Sequence, residues 1–232
     1  MTIDSTETLP PLEITGRIDR LRQLFGDAGP EGDTGVDALF VSRLVNIRYL
    51  TGFTGSAALL LVGPDEVLFV TDGRYQDQSA DQLAAAGLGH VRIEVSNTDQ
   101  KQIVHDTAAA GGYRRIGLEA AGVTWAQQRA YAKDWFESAE LVPTEGLVEG
   151  QRRVKDAGEA ARIRAACGIA DQAFANLRDR LRDRPTEADF ALDLEFEMRR
   201  LGAAAMSFEP IVAAGPNGAK PHARPSDRPI GP

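Results

Sequence analysis

The residue best placed to do chemistry is His222. It lies in the stretch Ser207-Phe208-Glu209-Pro210-Ile211-Val212-Ala213-Ala214-Gly215-Pro216-Asn217-Gly218-Ala219-Lys220-Pro221-His222-Ala223-Arg224-Pro225-Ser226. An apolar run rises to Ala214, Gly215-Pro216-Asn217-Gly218 turns the chain, and the histidine sits between Pro221 and Pro225 on the way back. The pattern predicts a hairpin that presents one imidazole at the mouth of a cleft. Proline fixes its own φ and biases the residue before it toward extended geometry, so the ring is aimed with little backbone freedom. Such an imidazole can hydrogen-bond a substrate carbonyl or act as acid or base. The same residues also describe a loop histidine among prolines with no function, and by themselves they leave both readings open.

The other candidates read as structure. His90 stands at a strand entrance and His105 in a helix, neither with an acidic or histidine partner at ligand spacing. Cys167 falls on the apolar stripe of a helix, where cysteine behaves as a small hydrophobe. As the single cysteine it excludes an intramolecular disulfide and a cysteine-based zinc site. Gly52-Phe53-Thr54-Gly55-Ser56 lacks the Gly-Lys-Ser/Thr ending of a phosphate loop and is followed by a strand, not a helix, so it reads as a turn. Carboxylates are plentiful but scattered over expected exposed helices. No Asp-x-Asp, His-Glu-x-x-His or similar cluster assigns a metal ligand, and no residue is assigned to cofactor binding.

The balance of 34 acidic against 26 basic residues, net charge -8, disfavours nucleic acid and anionic membranes as partners. Hydrophobic content of 43% and charged content of 26% belong to a globular chain, and 232 residues suffice for one domain plus part of another. Residues 1–15 hold neither a basic n-region nor an apolar h-region. The longest apolar run, Ala57 to Val62, is far short of the roughly 18 residues of a membrane helix. The expectation is a cytoplasmic protein.

The elements that must position these residues follow from periodicity. Residues 1–15 read as a frayed tail. Arg17 to Phe25 has helical spacing, with Gly26 as its stop, and Gly29-Pro30-Glu31-Gly32-Asp33 reads as a flexible loop. Strands are expected at Ala38–Val41, Ala57–Val62, Val67–Thr71, Val91–Val95 and Arg115–Leu118, with a hairpin turn at Gly63-Pro64-Asp65-Glu66. Asn46 to Ser56 reads as a glycine-punctuated connection. Helices are expected from Asp72 to about Ala86, at Ile103–Ala110 and at Trp125–Phe136, with Asp72 as an N-cap. Strands alternating with helices give an α/β domain, and the hairpin makes its sheet mixed. Leu141-Val142-Pro143 and Leu147-Val148 lead out of it.

Past Gly150 the pattern becomes helical. Asp156 and Glu159 form a capping box for a long helix whose stripe is Ile163, Cys167, Ala170, Phe174, Leu177 and Leu181. Arg178 to Arg184 alternates in sign as a solvated helix end. Pro185 breaks that helix, Thr186-Glu187-Ala188-Asp189 starts another with Phe190, Leu194, Met198 and Leu201 inward, and Gly202 stops it.

Several of these stretches resemble the creatinase/Xaa-Pro aminopeptidase family, the pita-bread metallopeptidases that include proline dipeptidases. Asn46-Ile47-Arg48-Tyr49-Leu50-Thr51-Gly52-Phe53-Thr54-Gly55-Ser56 is similar to the signature of that family's N-terminal domain, and Thr71-Asp72-Gly73-Arg74-Tyr75 to its next landmark. Arg152-Arg153-Val154-Lys155-Asp156, with Glu159 and Ile163, resembles the junction into the catalytic domain. Thr186-Glu187, Gly202, Ser207-Phe208-Glu209-Pro210-Ile211-Val212 and Pro221-His222-Ala223 resemble that domain's start. The matches occur in family order and extend from Arg17 onward. The resemblance implies a tail at 1–15, a creatinase-like N-terminal domain at 16–149 with a mixed sheet covered by helices, and at 150–232 an incomplete α+β pita-bread domain.

The resemblance also implies a role for His222. In the family, the histidine at that position lines the active site beside a divalent metal pair (manganese, cobalt or zinc), binding the substrate carbonyl or steadying the tetrahedral intermediate. The metals activate the water that attacks the bond before proline. Their ligands all lie C-terminal to the His222 position, and none transfers to a residue here. The chain is therefore expected to be a fragment or terminated product that by itself binds no metal pair and hydrolyses nothing. The complete protein is expected to take proline-containing peptides and to form a homo-oligomer, a dimer. Two other readings remain on the same fold: a metal-independent creatinase-like amidinohydrolase, in which the histidine shuttles the proton, and a non-catalytic protein-interaction module. The isolated chain is expected to be less stable than its N-terminal domain, so that limited proteolysis leaves a fragment near residues 15–150.

Overall fold

A computed structural model describes residues 9–26, 28–29, 32–33 and 35–231. The chain divides into two compact units, one of Glu13–Lys155 and one of residues up to Leu12 with Asp156–Pro232. The boundary expected between 149 and 150 falls inside a helix of the first unit.

The first unit is built on a six-stranded mixed sheet. Its strands are β3 (Ala38–Val41), β4 (Leu59–Val62), β5 (Val67–Thr71), β6 (Arg92–Val95), β7 (Arg115–Glu119) and β8 (Glu140–Thr144), in the order β6-β5-β4-β3-β7-β8. β4 and β5 form the expected hairpin, with Gly63 N–H donating to Glu66 C=O at 2.9 Å. β3 is antiparallel to β4 but parallel to β7, and β7 is parallel to β8. Every residue of β3 and β5 is buried, as strands covered on both faces must be.

Side chains alternate across this sheet. Phe40 meets Tyr131, Trp135 and Phe136 at ring distances of 5.2, 5.8 and 5.3 Å on one face. These rings follow α5 (Trp125–Ala130), which runs on into a wider π-type turn, Tyr131–Trp135. The helix α4 (Gln100–Ala110) packs on β5 from the same side through Val104 and Ala108. Phe69 turns to the other face, 5.0 Å from Phe53, which in turn lies 5.5 Å from Tyr75. The helices α1 (Arg17–Arg22) and α3 (Gln76–Ala85) contribute Ile18, Leu21 and Leu83 to the core, all buried. Asp72 caps the short turn that leads into α3, accepting from Arg74 N–H at 3.0 Å.

Three elements depart from expectation. The connection expected at Asn46–Ser56 opens in a helix, α2 (Leu44–Thr51), whose N-cap Arg43 makes no capping side-chain bond, so no local cap announced it. Burial of Ile47, Leu50 and Thr51 holds it, and Gly52 ends it at φ +77°, a conformation that strains any residue with a Cβ. The exit at Leu141–Pro143 is the edge strand β8, where proline costs no ladder bond on its outer side. The exit at Leu147–Val148 starts α6 (Leu147–Arg153). The loop expected at Gly29–Asp33 lies partly outside the described residues, and its described backbone pairs β1 (Ala28–Gly29) antiparallel with β2 (Gly32–Asp33).

The second unit contains α7 (Ala157–Leu177) and α8 (Glu187–Arg200). The capping box of Asp156 and Glu159 is present, at 2.7 and 3.0 Å. The helices meet where side chains are small, at Ala173 and Ala191, beside Phe190. Asn176 donates to Glu197 at 2.7 Å, and Arg180 pairs with Asp193. Of the expected α7 stripe, Ile163, Cys167 and Phe174 are exposed, because the side of α7 that meets α8 runs through Ala173 instead. Residues 1–8 of the expected tail lie outside the described residues. Residues 9–12 lie along α7, with Arg162 Nη1 donating to Pro10 C=O at 2.7 Å, and Ile14 in the first unit is buried.

The expected hairpin at 207–226 is absent. The described backbone there holds a 3-10 turn, Gly215–Ala219, and otherwise irregular structure, with one isolated bridge between Thr186 and Pro229. Prolines at 210, 216, 221 and 225 remove donors that a strand ladder needs.

Candidate functional site

The irregular segment that replaces the hairpin is built from consecutive turns. Asn217 N–H donates to Ala214 C=O at 3.1 Å, Lys220 N–H to Asn217 C=O at 2.9 Å, and Ala223 N–H to Lys220 C=O at 3.2 Å. His222 sits in the last of these turns. Its neighbour Ala223 is buried, whereas His222 is exposed and its ring makes no hydrogen bond among the described residues. The structure thus presents the imidazole to solvent from an anchored turn.

The anchor is Glu187, in the first turn of α8 behind the N-cap Thr186. Glu187 is fully buried. One carboxylate oxygen accepts from Ala214 N–H at 2.7 Å and Asn217 Nδ2 at 3.2 Å. The other accepts from Asn217 Nδ2 at 3.0 Å, Ser226 N–H at 3.1 Å and the Ser226 hydroxyl at 2.6 Å. The hydroxyl of Ser226 and the N–H of Ala214 lead in holding the carboxyl down to about 2, against the opposing effect of burial. The return limb is tied to the start of α8 as well: Glu187 N–H donates to Arg228 C=O at 2.9 Å and Ala188 N–H to Ser226 C=O at 3.0 Å.

Reading the carboxylates as exposed missed Glu187 and a second buried one, Glu119. A signal for Glu187 was present: it lies three and seven residues before Phe190 and Leu194, on the inward stripe of its helix. A carboxylate on such a stripe requires internal donors.

In the sheet unit, Glu119 ends β7 and accepts from Ser42 N–H at 2.8 Å, Arg43 N–H at 2.9 Å and Asn46 Nδ2 at 2.6 Å. The buried Asn46 amide also donates to Glu149 at 2.7 Å and accepts from Arg152 at 2.9 Å. Arg43 pairs with Glu149 at 2.7 Å. Burial pushes the Glu119 carboxyl above its ordinary range, against those three donors. Glu149 is also opposed by burial, yet Asn46, Arg43 and Arg152 bring it below its ordinary range. A cavity of about 260 Å³ opens beside these groups, lined by Arg43, Glu119, Glu145 and Glu149 at the ends of the parallel strands. Of its charged groups, Arg43 and Glu149 pair with each other and Glu119 is held by two backbone N–H groups and Asn46, while Glu145 is exposed.

His90 and His105 are in the first unit, and His105 Nδ1 lies 3.0 Å from Asp106. Among the described residues no group of three or more His, Cys, Asp or Glu is gathered as metal ligands, and no helix is long and apolar enough to cross a membrane.

The Creatinase/Prolidase N-terminal domain matches residues 17–154, and Metallopeptidase family M24 matches residues 161–232. The uncharacterized peptidase YqhT of Bacillus subtilis is 35% identical over 212 residues, which are 91% of this chain and 57% of YqhT. An Xaa-Pro dipeptidase from Bacillus anthracis has the same fold with a TM-score of 0.84 at 30% identity, over 94% of this chain and 57% of the dipeptidase. For an X-Pro aminopeptidase from Thermotoga maritima the TM-score is 0.76 at 28% identity, over 84% of this chain and 55% of the other. The chain spans about half the length of the relatives it matches.

Proposed function

Because the chain belongs to the creatinase/prolidase family, we propose that it forms the N-terminal domain and the opening of the catalytic domain of an Xaa-Pro peptidase, which hydrolyses the bond preceding proline. The observation that carries this reading is the His222 turn: an exposed imidazole with no internal hydrogen bond, on a loop tied at both ends to one buried carboxylate. A ring held in this way can donate an N–H to the oxygen of the scissile carbonyl. As that carbon becomes tetrahedral the oxygen gains charge and the bond strengthens, so the interaction favours the transition state over the substrate.

M24 peptidases are metallopeptidases, and a divalent metal pair belongs to the complete proteins of the family. The described residues of this chain do not fit such a pair, since they gather no ligand set for it. The proposal includes the expectation that the 232-residue chain by itself hydrolyses no Xaa-Pro peptide, which the peptide assay tests. It also includes a homodimeric complete enzyme, which light scattering tests.

The test of the function is made on the polypeptide extended through the rest of the M24 domain, assayed with Xaa-Pro dipeptides and tripeptides. His222→Ala lowers kcat by about 100- to 1000-fold, the cost of losing one donor to a developing oxyanion. An unchanged kcat removes His222 from the chemistry. Equal rates on peptides without proline overturn the substrate class, and activity that survives exhaustive chelation replaces this reading with the amidinohydrolase.

A further inference from the structure

We propose that Glu187 is the positioning residue for His222, fixing the loop 214–226 so that the imidazole at its tip holds one place. The inference rests on the reading of His222 as an active-site residue and extends it to a group that touches no substrate.

The two ends of the loop are held by different means. Backbone bonds from Glu187 and Ala188 to Arg228 and Ser226 fix the return limb whatever the Glu187 side chain does. The outgoing limb has no such tie: Ala214 N–H donates to the Glu187 carboxylate at 2.7 Å, and the Asn217 amide donates to both of its oxygens. The carboxylate therefore closes the loop, joining Ala214 and Asn217 on one side to Ser226 on the other.

The joint then reaches His222 through the turns. Asn217 Oδ1 accepts from Lys220 Nζ at 2.8 Å while its Nδ2 faces Glu187 and, at 3.3 Å, the Ser226 hydroxyl, which sets the orientation of the amide. The backbone steps from Asn217 to Lys220 to Ala223 are each closed by one bond, and Pro221 removes a rotation directly before the histidine. A shift of Asn217 is carried into the turn that holds the ring, since few backbone angles between them are free to absorb it.

The chemistry of the group also fits the task. Every contact to the carboxylate is a donor, and an ionised carboxylate is acceptor-only, with about four lone-pair sites on two oxygens. Glutamine has nearly the same shape but must aim its NH₂ at donors on one side. The variant Glu187→Gln thus separates charge and acceptor capacity from bulk.

The chain has three histidines, and His90 and His105 belong to the other unit, so each ring has its own reporter. The experiment is ¹H–¹³C NMR of the three Cε1 signals together with amide exchange on the 232-residue chain. In Glu187→Gln, the His222 signal is expected to shift and to narrow as the turn that holds the ring loosens. Amides at 214–226 exchange at least tenfold faster, with His90 and His105 unmoved. An unmoved His222 signal with exchange within twofold of the parent overturns the proposal. If Glu187→Gln fails to fold, Ser226→Ala removes the 2.6 Å donor, with the longer bonds its oxygen accepts from Asn217 and Arg228, and shifts the same signals in the same direction, and no shift there overturns it equally. Retained activity of His222→Ala in the extended peptidase instead sinks the catalytic reading, so the two failures are distinct.

Discussion

Ser226 donates both its backbone N–H and its hydroxyl to one carboxylate oxygen of Glu187, at 3.1 and 2.6 Å. With Ala214 and Asn217 on the opposite side, the pair turns a proline-rich segment without strand pairing into a closed loop. Rigidity here comes from one buried charge and its donors, not from a ladder.

The pH dependence of that loop follows. The Glu187 carboxyl is held at about 2, below the ordinary glutamate value of about 4.3. A depressed carboxyl contributes stability that is present above its ordinary value and lost as pH falls through its folded value. Amide protection at 214–226 should stay level from neutral pH to about 4 and fall toward about 2. Carbon NMR of the Glu187 carboxyl gives the midpoint directly, and titration near the ordinary value would contradict the closed loop.

Asn46 carries the corresponding load in the sheet unit. Its amide joins Glu119, Glu149 and Arg152, three groups distant in sequence, from the first position of the signature segment 46–56. Asn46→Ala leaves buried partners unpaired and should cost about 2–4 kcal/mol. Asn46→Asp should cost more, because it places a third carboxylate between two others and removes the donor they share. Urea midpoints of the two variants order them, and an Asp variant as stable as the Ala variant rejects this account.

Glu119 and Glu149 should respond to pH in opposite senses. The Glu119 carboxyl is raised, so its contribution is fully present below the ordinary glutamate value and lost as pH rises through its raised folded value. Glu149 is lowered, so its contribution is present above the ordinary value and lost as pH falls through its folded value. Glu119→Gln removes only the first dependence. The difference in stability between parent and variant should therefore move in favour of the variant as pH rises from 4 to 7, measured by urea unfolding at each pH. A difference that is flat across that range rules out a raised Glu119.

The sequence disclosed what local periodicity controls. β3, β5 and the β4–β5 hairpin were legible because fully buried strands are uninterrupted apolar runs, and the Asp156–Glu159 box because both partners lie within one turn. α2 was hidden because its N-cap residue makes no capping side-chain bond and its stability comes from burial against distant strands. The hairpin expected around His222 failed because an apolar run rising to a Gly-Pro-Asn-Gly turn looks like a strand until the prolines are counted against a ladder. Glu187 stood on the inward stripe of its helix, but what holds the two buried carboxylates was unreadable for a related reason. Their donors come from residues 27 to 39 positions away for Glu187 and 73 to 77 for Glu119, and no spacing rule spans such distances.

Gly158 provides a test in which two effects of known size oppose each other. In a helix, Gly→Ala is worth up to about 1 kcal/mol in favour of alanine. At Gly158, however, an added Cβ would meet the carbonyl of Pro11 and stand 3.1 Å from Leu12 Cα. These are backbone atoms, which cannot rotate aside as a side-chain end would. Overpacking of this kind costs about 1–3 kcal/mol, so Gly158→Ala should be net destabilising or should lift residues 9–12 from α7. In either case the bond from Arg162 to Pro10 C=O, now 2.7 Å, is lost and residues 9–12 become open to protease. Thermal melting with limited proteolysis decides between the effects: a higher midpoint with residues 9–12 still protected means that helix propensity prevails and that the close approach of the two backbones is not a packing constraint.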